Sequence, residues 1–149
     1  MDEALIKRVL PHSIEAEQAV IGAMLMDKEA ILTASEIISG EDFYQSAYGV
    51  VFEAIVEIYN EGKPVDLITL QTRLKEKDVP AEVSSLEFAR DLVTAVPTSA
   101  NVKYYAQIVA EKSMLRRLVK LNEEIENMCY LGKAPMEEVL ELKEENTDL

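Results

Sequence analysis

Apolar side chains recur along this chain at three- and four-residue intervals, with no sustained alternation of the kind that marks a half-buried strand. Five Gly and five Pro punctuate the 149 residues, so the breaks between helices are readily placed. The first helix is predicted to begin after Pro11, with Ser13 as N-cap and Glu15 and Glu17 in the turn where the helix dipole favours negative charge. Its expected core stripe is Ile14, Ala19 or Gln18, Ile21 and Leu25. Asp27 caps a second helix to about Ile38, which buries Ile31, Leu32 and Ala34 or Ile38 and ends at Ser39-Gly40. After the turn Glu41-Asp42-Phe43-Tyr44, Ser46 opens a third helix carrying Val50, Val51, Ala54, Ile55, Ile58 and Tyr59. Gly62 stands where a left-handed C-terminal residue belongs, and Pro64 stops further winding.

Asp66 is the expected cap of a fourth helix with Leu67, Leu70 and Leu74 on one side. A fifth is predicted from the capping-box spacing of Ser84 and Glu87, with Leu86, Ala89, Leu92 and Val93 facing inward until Pro97. From Ser99 to Tyr130 there is neither Gly nor Pro, and Val102, Tyr105, Ile108 or Val109, Lys112, Leu115, Val119, Asn122 and Ile125 follow one broad face. That predicts one helix of roughly 30 residues, about 45 Å long at ~1.5 Å per residue. Leu131-Gly132 breaks it, and Pro135 with Glu137 and Glu138 starts a last helix using Val139, Leu140 and Leu142.

The fold expected is therefore all-α: a globular cluster of about five short helices over residues 1–97, followed by a protruding helical hairpin over residues 98–149. A seam of Leu115, Leu118, Val119, Leu121, Ile125 and Met128 left in water would exceed an ordinary surface patch. Self-association through the hairpin is the expected remedy.

Charge narrows the function classes. Lys and Arg number 15 against 28 Asp and Glu, net −13, so nucleic acid meets a repulsive average field and weak or no direct binding is expected. The one basic cluster, Lys112, Arg116, Arg117 and Lys120, lies on the long helix among apolar residues and is read as a protein contact. Cys129 is the only cysteine, which excludes an intrachain disulfide, fits a reducing cytoplasm and leaves a structural role. The longest apolar run, Ala19 to Met26, is far below the ~20 residues needed to cross a bilayer. The acidic Met1-Asp2-Glu3 start does not resemble a signal peptide, so a cytoplasmic protein with no membrane contact is expected.

Catalytic chemistry lacks its parts. His12 is the only histidine, too few for the two Glu-x-x-His motifs of a di-iron site, and is read as a polar residue beside a helix start. Glu15 and Glu17 point about 200° apart on a helix and cannot share a metal ion. Gly132-Lys133 is not followed by Ser or Thr and has no glycine five positions earlier, so it is not part of a phosphate-cradling loop. No catalytic, cofactor-binding or metal-binding residues are expected.

Several blocks carry a family resemblance. Leu10-Pro11-His12-Ser13-Ile14-Glu15-Ala16-Glu17-Gln18-Ala19-Val20-Ile21-Gly22 closely resembles the opening motif of bacterial replicative DNA helicases of the DnaB family. In the same order follow Glu41-Asp42-Phe43-Tyr44, Pro64 to Leu70, Ala95 to Ala106, and Glu111 to Leu118. The small Ala16, Ala19 and Gly22 form a strip on the first helix along which a neighbour can approach closely, and Glu15, off that strip, is the motif residue expected to reach a partner.

The resemblance implies an N-terminal assembly and primase-docking domain of a hexameric helicase. The ATP-dependent unwinding, with its ATP and Mg, would reside in a C-terminal motor absent from this chain, which is then no enzyme by itself. In the family such domains pair through their hairpins, close into a trimer of dimers and offer a docking surface to primase, and helicase loaders approach the same region. Leu115, Leu118, Leu121 and Met128 are assigned to the dimer hairpin, and Phe88, Val119 and Ile125, with Glu15 nearby, to partner docking. The chain departs from the family where residues 82–89 lack its Gly-Gly pair and tyrosine, and where the tail from Lys143 onward is more polar, which predicts an early end to the last helix. A stand-alone helical adaptor or helicase-loading paralogue without a motor is the alternative reading.

Overall fold

The computed structural model describes residues 9–95, 98–132 and 135–148. Among these the chain is all-α, with seven α-helices, one short 3-10 turn and no strand. The helices are α1 (Ile14–Met26), α2 (Lys28–Ile37), α3 (Ser46–Asn60), α4 (Leu67–Lys75), α5 (Leu86–Thr94), α6 (Val102–Leu131) and α7 (Met136–Asp148), with the 3-10 turn at Gly40–Asp42. Two compact units divide the chain: residues His12–Ala110, and the described residues on either side of that span.

Local signals account for most boundaries of the first unit. Ser13 Oγ accepts the Ala16 amide at 3.2 Å and Asp27 Oδ1 the Glu29 amide at 3.0 Å, so each helix starts on an oxygen that satisfies an otherwise unpaired N–H. Asp66 and Thr69 form a reciprocal box, at 2.8 and 3.0 Å, at the start of α4. Gly62 adopts φ +73°, the left-handed conformation expected of it. At α5 the cap is Ser85, whose Oγ accepts the Phe88 amide at 3.1 Å, whereas Ser84 donates to the Ala81 carbonyl. The predicted Ser84–Glu87 box is thus displaced by one residue.

Within this unit α1 packs on α2, α3 and α5, α3 also contacts α2, α4 and the 3-10 turn, and α4 meets α5. The core holds Ile21, Met24, Ile31, Phe52, Ile55, Ile58, Leu70 and Leu74, each essentially without solvent contact. Burying such a side chain stabilises the fold by about 1.5–3 kcal/mol. Because three helices surround α1, it is buried at Ala16, Glu17, Val20, Ile21, Gly22, Ala23 and Met24 rather than along one stripe. Of the expected α1 core only Ile21 is fully enclosed, Ile14, Gln18, Ala19 and Leu25 being half-buried. On α2, Ile31 and Ala34 are buried as expected, but Leu32 is exposed because it sits on the side facing away from α1 and α3.

A close backbone approach fixes the 3-10 turn against α3. A Cβ at Gly49 would overlap the carbonyl oxygen of Gly40, and one at Gly40 would meet the Gly49 carbonyl oxygen at 2.8 Å. Glu53 Oε1 then accepts the Gly40 amide at 2.6 Å. Farther along α3, Glu57 takes Arg73 at 3.1 Å and Lys77 at 2.9 Å, while Glu61 takes Arg73 at 2.7 Å. The Lys77 hydrogen bond is the main reason that the Glu57 carboxyl is held below its ordinary value; burial opposes it, and the Arg73 hydrogen bond adds to the lowering.

The long helix α6 is continuous from Val102 to Leu131. Its buried positions are Val102, Ala106 and Val109 in the first unit, then Ser113 and Arg116 in the second. Val102 and Val109 are buried as expected, but Ala106, Ser113 and Arg116 lie one residue beside the expected stripe, so Leu115 is exposed and Tyr105 and Lys112 are half-buried. Gly132 turns the chain at φ +62°, and the Pro135 carbonyl accepts the Glu138 and Val139 amides as α7 begins. The last helix then runs on to Asp148 instead of ending early. Its return alongside α6 is marked by the Asn146 amide donating to the Asn122 side-chain oxygen.

Candidate functional site

In the first unit two motif blocks distant in sequence meet at one joint. The Glu17 carboxylate is 1% exposed and accepts the backbone N–H of Tyr44 at 2.9 Å on Oε2 and of Gln45 at 3.1 Å on Oε1. A buried charge persists only when its oxygens are satisfied, and here both are given to the backbone that leads into α3. Beside it the His12 ring stacks on Tyr44 with centroids 4.0 Å apart and planes 8° from parallel. One turn on, Gln18 donates to the Tyr48 hydroxyl at 2.9 Å, and the Tyr48 ring lies 5.9 Å from that of Phe88. From the sequence alone Glu17 has no role beyond the helix dipole, and His12 is a polar residue beside a helix start. The signal available was their presence in one motif and that of Tyr44 in another.

The docking candidates divide between the two units. Glu15 is exposed and lines a hollow of about 310 Å³ with Gln18, Ala19, Thr98, Asn101 and Tyr105. Phe88 is half-buried against the core, with Tyr48 as its aromatic neighbour. In the second unit Val119 and Ile125 are both half-buried, and Ile125 lines a groove of about 530 Å³ between α6 and α7 with Asn122, Cys129, Val139 and Leu140. Cys129 is exposed there, not enclosed as a structural thiol would be.

The hairpin candidates all lie on α6. Leu115 is exposed, whereas Leu118, Leu121 and Met128 are half-buried. Beyond Arg116 no described residue of α6 is buried, and α7 has no buried residue at all. Tyr130, Leu131, Met136 and Leu140 are 50–83% exposed, leaving much of the hairpin's apolar surface in water. Within the basic cluster, Arg116 is committed to the chain itself: its Nη1 donates to the Pro11 carbonyl at 2.9 Å.

Among the described residues, no group of three His, Cys, Asp or Glu is placed to hold a metal ion, and no helix is long and apolar enough to cross a membrane. The geometry is one of helix joints and apolar faces. Compared with known families, residues 9–111 match the model of the DnaB-like helicase N terminal domain. The chain belongs to that family. It is 41% identical over 141 residues to the replicative DNA helicase DnaB of Geobacillus stearothermophilus, covering 95% of this chain and 31% of the relative's length. The chain thus spans about a third of that relative.

Solved structures agree with the assignment to the DnaB-like family. The crystal structure of the N-terminal domain of DnaB helicase from Mycobacterium tuberculosis superposes with a TM-score of 0.88 at 35% identity, over 95% of this chain and all of that one. The N-terminal domain of the Helicobacter pylori DnaB helicase, described together with its interactions with primase, shares the fold with a TM-score of 0.68 at 21% identity, over 87% of this chain and 99% of its own.

Proposed function

We propose that this chain is the N-terminal assembly and primase-docking domain of a hexameric replicative DNA helicase that unwinds duplex DNA with ATP in a C-terminal motor. The observation that carries the reading is the hairpin: α7 has no buried residue, yet Val139, Leu140 and Leu142 recur on it at helical spacing. A helix of 13 residues is marginal alone in water and depends on tertiary cover. A second copy supplies that cover, with Leu115, Leu118, Leu121 and Met128 in the shared seam and three such dimers closing a ring. Family membership and the primase interactions described for the Helicobacter pylori domain support a docking role.

Glu15, Phe88, Val119 and Ile125 are the side chains assigned to docking, and a helicase loader is a further partner. The acidic surface, net −13, disfavours direct DNA binding by this domain. A pull-down with the C-terminal domain of the cognate primase tests the reading. Binding should be retained by the parent chain and weakened by Phe88→Ala and by Ile125→Ala. If both variants bind primase as well as the parent does, the docking assignment is wrong, and if the parent itself does not bind, so is the proposed role.

A further inference from the structure

The first unit carries a second concave feature that none of the docking candidates lines. Between the 3-10 turn, α3 and the turn after α4 lies a hollow of about 740 Å³, within the range of sites that hold a small ligand or a few side chains. Its floor is apolar, from the edge of Phe43 and the half-buried Val50 and Val79. Its rim is acidic, from Glu41, Glu53 and Asp78. Among the described residues none of these three carboxylates has an ion-pair partner. Lys77, the one cation in the lining, is held by Glu57 at 2.9 Å. Glu53 uses one oxygen to accept the Gly40 amide, which fixes its carboxylate in place.

This combination selects among occupants. An anion is repelled by the rim, and a wholly apolar group would strip water from carboxylates without replacing it. A bare metal ion would gain nothing from the apolar floor. A long aliphatic stem ending in a cation satisfies both surfaces, because lysine and arginine lay their methylenes on apolar ground and keep their charge at the edge. The acidic surface of the whole chain would draw such a group in.

We propose that this hollow is a docking site for a basic peptide segment of a protein partner, seating a lysine or arginine stem on Phe43, Val50 and Val79 with its charge toward Glu41 and Asp78. The site is independent of the primase-docking reading, since Glu15, Phe88, Val119 and Ile125 take no part in it.

The test is a titration of the ¹⁵N-labelled chain with a capped pentapeptide of glycine, leucine, lysine, leucine and glycine, beside an analogue carrying norleucine for lysine. The lysine peptide should shift the amides of Phe43, Val50 and Val79, and added salt should weaken it. The double variant Glu41→Lys with Asp78→Lys, checked for unchanged circular dichroism, should bind about tenfold more weakly, and Glu144→Lys with Glu145→Lys should bind as the parent does. Equal binding of the norleucine peptide would overturn the proposal, as would shifts indifferent to the double variant or no shift at about 10 mM peptide. Concentration-dependent shifts at the same amides without peptide would also overturn it, assigning the hollow to contacts between copies of the chain.

Discussion

Removing the Glu17 carboxylate isolates the joint on which the first unit turns. In Glu17→Ala the amides of Tyr44 and Gln45 lose an ionised acceptor, and each such bond is worth about 1.5–3 kcal/mol. The gross loss of roughly 3–6 kcal/mol is offset because a carboxylate 1% exposed no longer has to be desolvated, a cost of several kcal/mol per ion. Water also reaches the freed amides, since both Tyr44 and Gln45 are exposed residues. The net destabilisation should be about 2–3 kcal/mol, with Glu17→Gln near half of that because one acceptor oxygen survives. At roughly 2–4 °C per kcal/mol for a chain of this size, Glu17→Ala should melt about 5–10 °C lower.

Urea and thermal unfolding followed by circular dichroism supply the numbers. Tyrosine emission supplies a local readout, as the chain has six Tyr and no Trp and Tyr44 stacks on His12. Glu15→Ala, two residues away and exposed, is the internal control and should stay within about 0.5 kcal/mol of the parent. A Glu17→Ala chain as stable as Glu15→Ala would refute the claim that the buried carboxylate organises the joint.

Other expectations follow from single contacts. Gly49→Ala should destabilise by about 1–3 kcal/mol although alanine is the better helix former, because its Cβ overlaps the Gly40 carbonyl; a raised melting temperature would contradict the close approach. Ser85→Ala should cost about 1 kcal/mol and Ser84→Ala within about 0.5 kcal/mol of nothing, with the reverse order in urea unfolding restoring Ser84 as the cap. The Glu57 carboxyl is held below its ordinary 4.5, so its ion pairs stabilise the fold at neutral pH and that contribution is lost as pH falls through the lowered value. Lys77→Ala should move Glu57 back up toward 4.5 in an NMR pH titration, and a parent already titrating there would show that the ion pair does not form in solution.

What could be read from the residues alone was mostly local. Ser13, Asp27, Asp66 and Gly62 announce their caps because each acts through the few residues around it. The stripe on α1 was less legible, since stripe reasoning assumes one wet face and α1 lies among three helices. The same burial encloses Glu17, which sequence alone gives every reason to place in solvent. Adjacent serines at 84 and 85 offer equivalent hydroxyls, and tertiary packing selects the second. On α6 the buried line passes through Ala106, Ser113 and Arg116, small or polar residues that an apolar count overlooks. The end of α7 was placed too early on the strength of its polarity, although Glu, Lys and Leu are good helix formers and neither Gly nor Pro interrupts them.

The candidate site was legible to the extent that motifs lie in helices, and illegible where it depends on which motifs meet. Nothing in the spacing of His12, Glu17 and Tyr44 reveals that the first two converge on the third. Phe88, assigned to partner docking, is half-buried against the core with its ring 5.9 Å from that of Tyr48, so only part of its surface is open to a partner.

The proposed dimer requires a second copy of the chain to cover the apolar face of the hairpin. Sedimentation equilibrium over a dilution series tests this: the parent should weigh twice its 16.7 kDa at micromolar concentration, and Leu115→Asp with Leu140→Asp should weigh 16.7 kDa with unchanged helicity. A parent that keeps the mass of one chain into the high micromolar range would rule out the dimer.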